Sequence, residues 1–213
     1  MKNKRKLYLK QLNSLHEIYL GLKTLHSCTT PPEGYMYNDQ YLSFAHLETT
    51  KLLLGRVWIL LADEYGGNDR NRHNPISFKV LLKKIIDDGN ISAKEWRGKE
   101  LVSKEDLREL LKKIELLNQE KTDEGELKYN YFRNKMYAHI DLNDDGTLKK
   151  INQLSISQGD FTTLFTLSEK AYDKLFLYLD CASSDHMEGY MNTLKESIWN
   201  SFENAGLIEK KTR

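Results

Sequence analysis

The 213-residue chain has 39% hydrophobic and 30% charged residues and a formal net charge of +1, a balance that suits one folded domain with a sizeable core. Near-neutral charge excludes a global attraction for polyanions, so any nucleic-acid contact must come from local patches. Cys28 and Cys181 form no CxxC pair, the amino end MKNKRK leads into an amphipathic segment, and no apolar window approaches the roughly 18 residues of a membrane span, which points to a reducing cytoplasm.

In chain order, Leu12, Leu15, Tyr19, Leu22 and Leu25 recur at spacings of three and four and predict a first helix over 7–26. The segment TTPPEG at 29–34 ends it, because paired prolines cannot continue a helix. A second helix is expected to start after Asn38 or Asp39 and run to about 64. Its run LLLGRVWILLA at 52–62 is apolar on every side, which predicts a central, buried position despite Arg56. After the polar loop YGGNDRNRHNP, a short helix is expected over 76–87, with Asn74 as cap and Pro75 in the first turn.

Ser103 and Asp106 have the spacing of a capping box for a helix reaching about 118, with Leu107, Leu110, Leu111, Ile114 and Leu117 on one face. Another helix is expected over 124–139, followed by TLKKINQLSIS as an extended segment or short hairpin. Asp160 is expected to cap a long helix with Leu164, Leu167, Ala171, Leu175 and Leu179 on its core side. Asp185 with Glu188 opens a last helix to about 204. No repeat, low-complexity tract or long linker divides the chain. The expectation is an all-α bundle of six to seven helices in a single domain over 1–213.

Few motifs carry chemistry. There is no phosphate-binding loop and no G-x-S-x-G, and His16-Glu17 opens an H-E-x-x-H pattern that fails at Leu20. Asp69 and His73 are spaced like a ligand pair, but two isolated ligands make no metal site. His46, on an apolar helix, reads as a core or helix-surface residue. DLNDDG at 141–146 opens like a calcium loop, yet its twelfth position is Asn152, which cannot supply the bidentate carboxylate. Its Asn, Asp and Gly make turns for reasons of their own, and no metal is expected.

The stretch YFRNKMYAHI at 131–140 places Arg133 six residues before His139 near a helix end. With eight arginines and 6 histidines in the chain, such a spacing arises by chance about as often as it is seen. A structural account is available: His139 would complement the helix dipole, and Arg133 would pair with Glu126 or Glu48. Chemically, a histidine can move protons near neutral pH, and a guanidinium can hold two phosphate oxygens.

With Asn134 directly after the arginine, FRNKMYAHID resembles the R-x(4–6)-H motif of ribonucleases in the HEPN superfamily, which are helical bundles. The segment LLLGRVWILLADEYG, the polar loop and NPISFKVLLKKI resemble the abortive-infection AbiU-type branch. The resemblance covers about 40–185, leaving the helices at 7–26 and 186–204 as additions. Asp141 stands where members paired with nucleotidyltransferase antitoxins often carry Tyr, which sets the chain apart from that subgroup.

The resemblance implies metal-independent, cofactor-free cleavage of RNA, serving a toxin or phage-defence role. His139 would transfer protons, Arg133 would stabilise charge, and Asn134 would orient the phosphate or the partner chain's histidine. Lys135, Tyr137, Arg70 and Arg72 are the expected RNA contacts. DNA, which lacks the internal 2′-OH, would resist. Six residues along a helix advance about 9 Å and turn about 240°, so Arg133 and His139 do not share a face. A two-fold homodimer would gather two copies of each into one cleft. An antitoxin protein is a further possible partner. The alternatives are a catalytically inactive helical module binding RNA or protein and, behind it, a calcium-responsive helical protein.

Overall fold

A computed structural model describes residues 2–62, 76–117, 127–130, 157–180 and 188–210, with backbone alone at 2, at 158 and over 188–194. The chain is an all-α bundle, mostly helical, and the strands among the described residues are small pairs. The described helices are α1 (Lys2–Thr29), α2 (Gln40–Ala62), α3 (Phe78–Asp87), α4 (Lys104–Glu115), α5 (Gln158–Leu179) and α6 (Glu188–Asn204). None of them is long and apolar enough to cross a membrane.

The apolar run in α2 sits where its composition demands. Leu53, Leu54, Gly55, Val57, Trp58, Leu60, Leu61 and Ala62 are all buried, and α2 packs against α1, α3 and α5. Leu52 and Arg56, four residues apart on one face of the helix, are exposed. The other helices bury one stripe each. Leu12, Leu15 and Tyr19 come from α1, Leu107, Leu110 and Ile114 from α4, and Leu164, Ala171, Leu175 and Leu179 from α5. All belong to one hydrophobic core, so α1 is part of the bundle itself. Leu25 departs from its stripe and is 46% exposed, while the next residue, His26, packs against Phe161 and Phe165.

α1 begins five residues earlier than its apolar spacing predicts, and the reason lies at the far end of α5. The Arg5 guanidinium donates to the carbonyls of Leu179 and Ser92, both at 2.8 Å. Leu179 is the last residue of α5, where carbonyls have no partner within the helix. The basic amino end is thereby tied into the fold.

Local signals account for most helix starts. Asp39 accepts from the backbone N–H groups of Tyr41 and Leu42 at 2.7 and 3.0 Å and opens α2. Ser77, and not the expected Asn74, caps α3, which starts at Phe78; Asn74 and Pro75 themselves lie outside the described residues. Ser103 and Asp106 form the expected capping box on α4, which ends at Glu115. In α5 the cap is Ser157, and Asp160 occupies the third helical position of a second capping box. That corrects the expectation that Asp160 itself is the cap.

Two antiparallel strand pairs complete the described fold. β1 (Tyr35–Tyr37) pairs with β4 (Ile208–Lys210), with Tyr37 opposite Ile208. The chain turns from α6 into β4 through Gly206, at φ +68°, a conformation that favours glycine. β2 (Glu95–Trp96) and β3 (Lys99–Glu100) form a hairpin between α3 and α4. Of the segment TLKKINQLSIS expected to be extended, residues 147–156 lie outside the described residues, and Ser157 is the cap of α5.

Candidate functional site

Arg133, Asn134, Lys135, Tyr137 and His139 lie outside the described residues, as do Arg70, Arg72, Asp69, His73 and the DLNDDG run. The described structure shows how the chain is held immediately before the motif. Residues 128–130 are helical, and Asn130 precedes Arg133 by three positions.

This short segment is fixed from two sides. From α2, the Trp58 ring stacks on Tyr129 with centroids 5.0 Å apart, and the Trp58 indole N–H donates to Asn130 Oδ1 at 3.2 Å. From the start of α5, the Asp160 carboxylate accepts from the Tyr129 hydroxyl at 2.8 Å and from Lys128 Nζ at 3.2 Å. Lys128, Tyr129 and Asp160 are 6%, 6% and 8% exposed. A buried charge is tolerated only when paired and hydrogen-bonded, and here both conditions are met.

Burial alone would push the Asp160 carboxyl upward. Hydrogen bonds from the Ser157 backbone, Tyr129 and Lys128 outweigh burial and hold it below the usual carboxylate range. Asp160 therefore stays ionised at neutral pH and serves as an anchor rather than as a proton carrier. The apolar run of α2 was legible in sequence, but its selection of Trp58 as the partner of Tyr129 and Asn130 was not. The local letters LKYN carry no periodicity that names a partner 72 residues away in one direction and about 31 in the other.

Glu48, one of two expected partners for Arg133, accepts from Lys51 Nζ at 2.6 Å. Glu126 lies outside the described residues. His46 is half-buried, as expected for a core or helix-surface residue, and lies 5.5 Å from the Tyr37 ring. Burial lowers its pKa, opposed by a backbone hydrogen bond at Thr29. It borders a cleft of about 620 Å³ formed by the 30–37 turn and Ser43. His26 is held between the Phe161 and Phe165 rings, at 4.6 and 5.4 Å. These two histidines are neutral packing elements at pH 7. Among the described residues, no group of three or more His, Cys, Asp or Glu side chains is placed to hold a metal ion.

Compared with protein-family models, curated proteins and solved structures, the chain matches none of them.

Proposed function

We propose that the protein is a metal-independent endoribonuclease of the HEPN type, acting as a homodimer in toxin or phage-defence biology. The observation that carries this reading is FRNKMYAHID starting two residues after a buried, doubly anchored segment of an all-α bundle. A nuclease that stabilises a phosphorane by position and charge needs its helix held without play, since preorganised charge contributes most to such catalysis. The Trp58–Asn130 and Tyr129–Asp160 contacts supply that rigidity at the entry to the motif.

In this mechanism His139 removes the 2′-OH proton or protonates the leaving 5′-oxygen. Arg133 neutralises the charge that develops on phosphorus, and Asn134 orients the phosphate or the partner chain's histidine. Two chains contribute to one cleft, and Lys135, Tyr137, Arg70 and Arg72 hold the RNA.

The test is cleavage of single-stranded RNA in EDTA by the wild type, Arg133→Ala and His139→Ala. Each substitution is expected to reduce cleavage by at least about 10²-fold while leaving cooperative unfolding intact. The double variant is expected to be little worse than either single one, and products are expected to end in 2′,3′-cyclic phosphate. Undiminished cleavage by a folded His139→Ala protein would overturn the proposal and leave a helical RNA- or protein-binding module in its place.

A further inference from the structure

The β2–β3 hairpin spends exposed aromatic surface where the bundle has no need of it. Glu95 pairs with Glu100 across the strands, and Trp96 with Lys99. Because neighbouring side chains on a strand alternate between faces, the two carboxylates share one face and Trp96 with Lys99 share the other. All six residues from Glu95 to Glu100 are exposed, and Trp96 is 54% exposed.

The connecting turn is Arg97-Gly98, with φ of +51° and +76°. Two left-handed residues are what a two-residue hairpin turn of type I′ requires, and Asn-Gly or Gly-Gly satisfies that with least strain. Arginine does not, so the position carries a small conformational cost. The arginine here places its guanidinium carbon 6.0 Å from the Trp96 ring centroid. The result is an indole flanked by Arg97 and Lys99, with the acidic pair turned to the opposite face.

The hairpin is pinned at its base. The Lys94 N–H donates to the Tyr178 carbonyl at 2.9 Å, the Tyr178 hydroxyl donates to the Ile91 carbonyl at 3.0 Å, and Lys94 Nζ reaches Asp180 at 2.6 Å. A pinned base with an exposed tip is suited to contact something beyond the bundle.

We infer that this hairpin is a single-stranded RNA contact in which a nucleobase stacks on Trp96 and Arg97 and Lys99 hold the flanking phosphates. The inference rests on the ribonuclease reading for its choice of ligand. Size argues for a base over a protein surface. One indole with charged neighbours offers far less than the roughly 800 Å² per partner of a standard protein interface. A ring with cations beside it matches the stacking platform and backbone charge that single strands use.

Trp58 and Trp199 are only 6% and 4% exposed, so quenching of indole fluorescence by a ligand reports mainly Trp96. The experiment titrates a fluorescent uridine dodecamer into the full-length wild type, Trp96→Ala, Trp96→Phe and Arg97→Gly, in EDTA and low salt, and measures cleavage KM in parallel. Wild-type binding with Trp quenching is expected, weakened about tenfold by Trp96→Ala and largely retained in Trp96→Phe. Arg97→Gly is expected to weaken binding several-fold while preserving or raising the melting temperature, because glycine relieves the turn.

Equal binding by the wild type and Trp96→Ala, or an unchanged cleavage KM, would overturn the inference and leave the ribonuclease reading standing. Trp96-dependent binding without any cleavage would do the reverse. Displacement of the RNA by a glutamate-rich peptide at equal concentration would overturn the choice of RNA, since the surface would then recognise negative charge alone.

Discussion

Two helices in this protein open with the same four-residue device, and their settings differ. On α4, the Ser103 backbone N–H and hydroxyl donate to Asp106 at 2.9 and 2.6 Å, and the Asp106 N–H donates back to Ser103 Oγ at 3.2 Å. On α5, the matching distances for Ser157 and Asp160 are 2.7, 2.9 and 3.2 Å. Locally the two boxes are interchangeable. What differs is the second partner set. Asp106 meets Lys174 at 3.0 Å with both side chains half-buried, whereas Asp160 meets Lys128 at 3.1 Å with both nearly buried. One box starts a helix. The other starts a helix and also holds the segment that enters the motif.

The largest effect that can break this equivalence is Asp160→Ala. Removing a buried carboxylate takes one charge partner from Lys128 and a hydrogen-bond acceptor from Tyr129 and is expected to cost about 3–5 kcal/mol. Chemical denaturation measures it, and a loss below about 1 kcal/mol would mean that the buried setting adds nothing to the cap.

A pH series separates the boxes from the histidines. Burial, reinforced by nearby His46 and Lys195, lowers His26 to about 4. Between that value and the ordinary 6.5 the unfolded chain binds more protons, so stability rises with pH across this window and is lost as pH falls through it. The two carboxylates are depressed in the fold, so their contribution disappears only below about pH 4. His26→Phe is expected to remove much of the 6.5-to-4 slope, on the order of 2 kcal/mol, and to leave the loss below pH 4 in place. Thermal melts across pH 3–8 check both parts.

Tyr129→Phe sharpens the comparison by removing one hydrogen bond to Asp160 and leaving the stacking on Trp58. It is expected to cost about 1–2 kcal/mol and, under the proposed ribonuclease function, to lower RNA cleavage beyond what the unfolded fraction explains. Asp106→Ala, which removes the same local box without a buried ion, is expected to cost about 1 kcal/mol. Smallest of all, Lys174→Ala is expected to cost no more than about 1 kcal/mol, and 1 M salt should reduce the difference, because a pair open to solvent on one side is screened.

The helical skeleton was readable because its signals are local. The three-and-four spacing of Leu12, Leu15 and Tyr19 reports a buried stripe, and the box at Ser103 reports a start, within one or two turns of chain. Leu25 shows where that reading stops, since at this turn it is His26 that meets Phe161 and Phe165, and periodicity cannot say which neighbour the opposing surface will take. The start of α1 was misplaced for a related reason: Arg5 is helical because Leu179 and Ser92, distant in sequence, offer it carbonyls. The hairpin at 95–100 was invisible because two-residue strands have no alternation to read, and Arg-Gly is not a favoured turn pair.

Sequence alone determined that the chain would be a helical bundle, that α2 would lie at its centre, and that Arg133, Asn134 and His139 would stand in one short stretch. Those follow from hydrophobic period, side-chain capping and residue order, which act over a few residues. Only the tertiary structure decided that Asp160 is an anchor for Lys128 and Tyr129 as well as part of a cap. It also decided that Trp58 holds Asn130 and that Trp96 is left open beside Arg97. Each of those depends on which distant surface arrives, and a desolvated contact gains its weight only when burial removes the competing water.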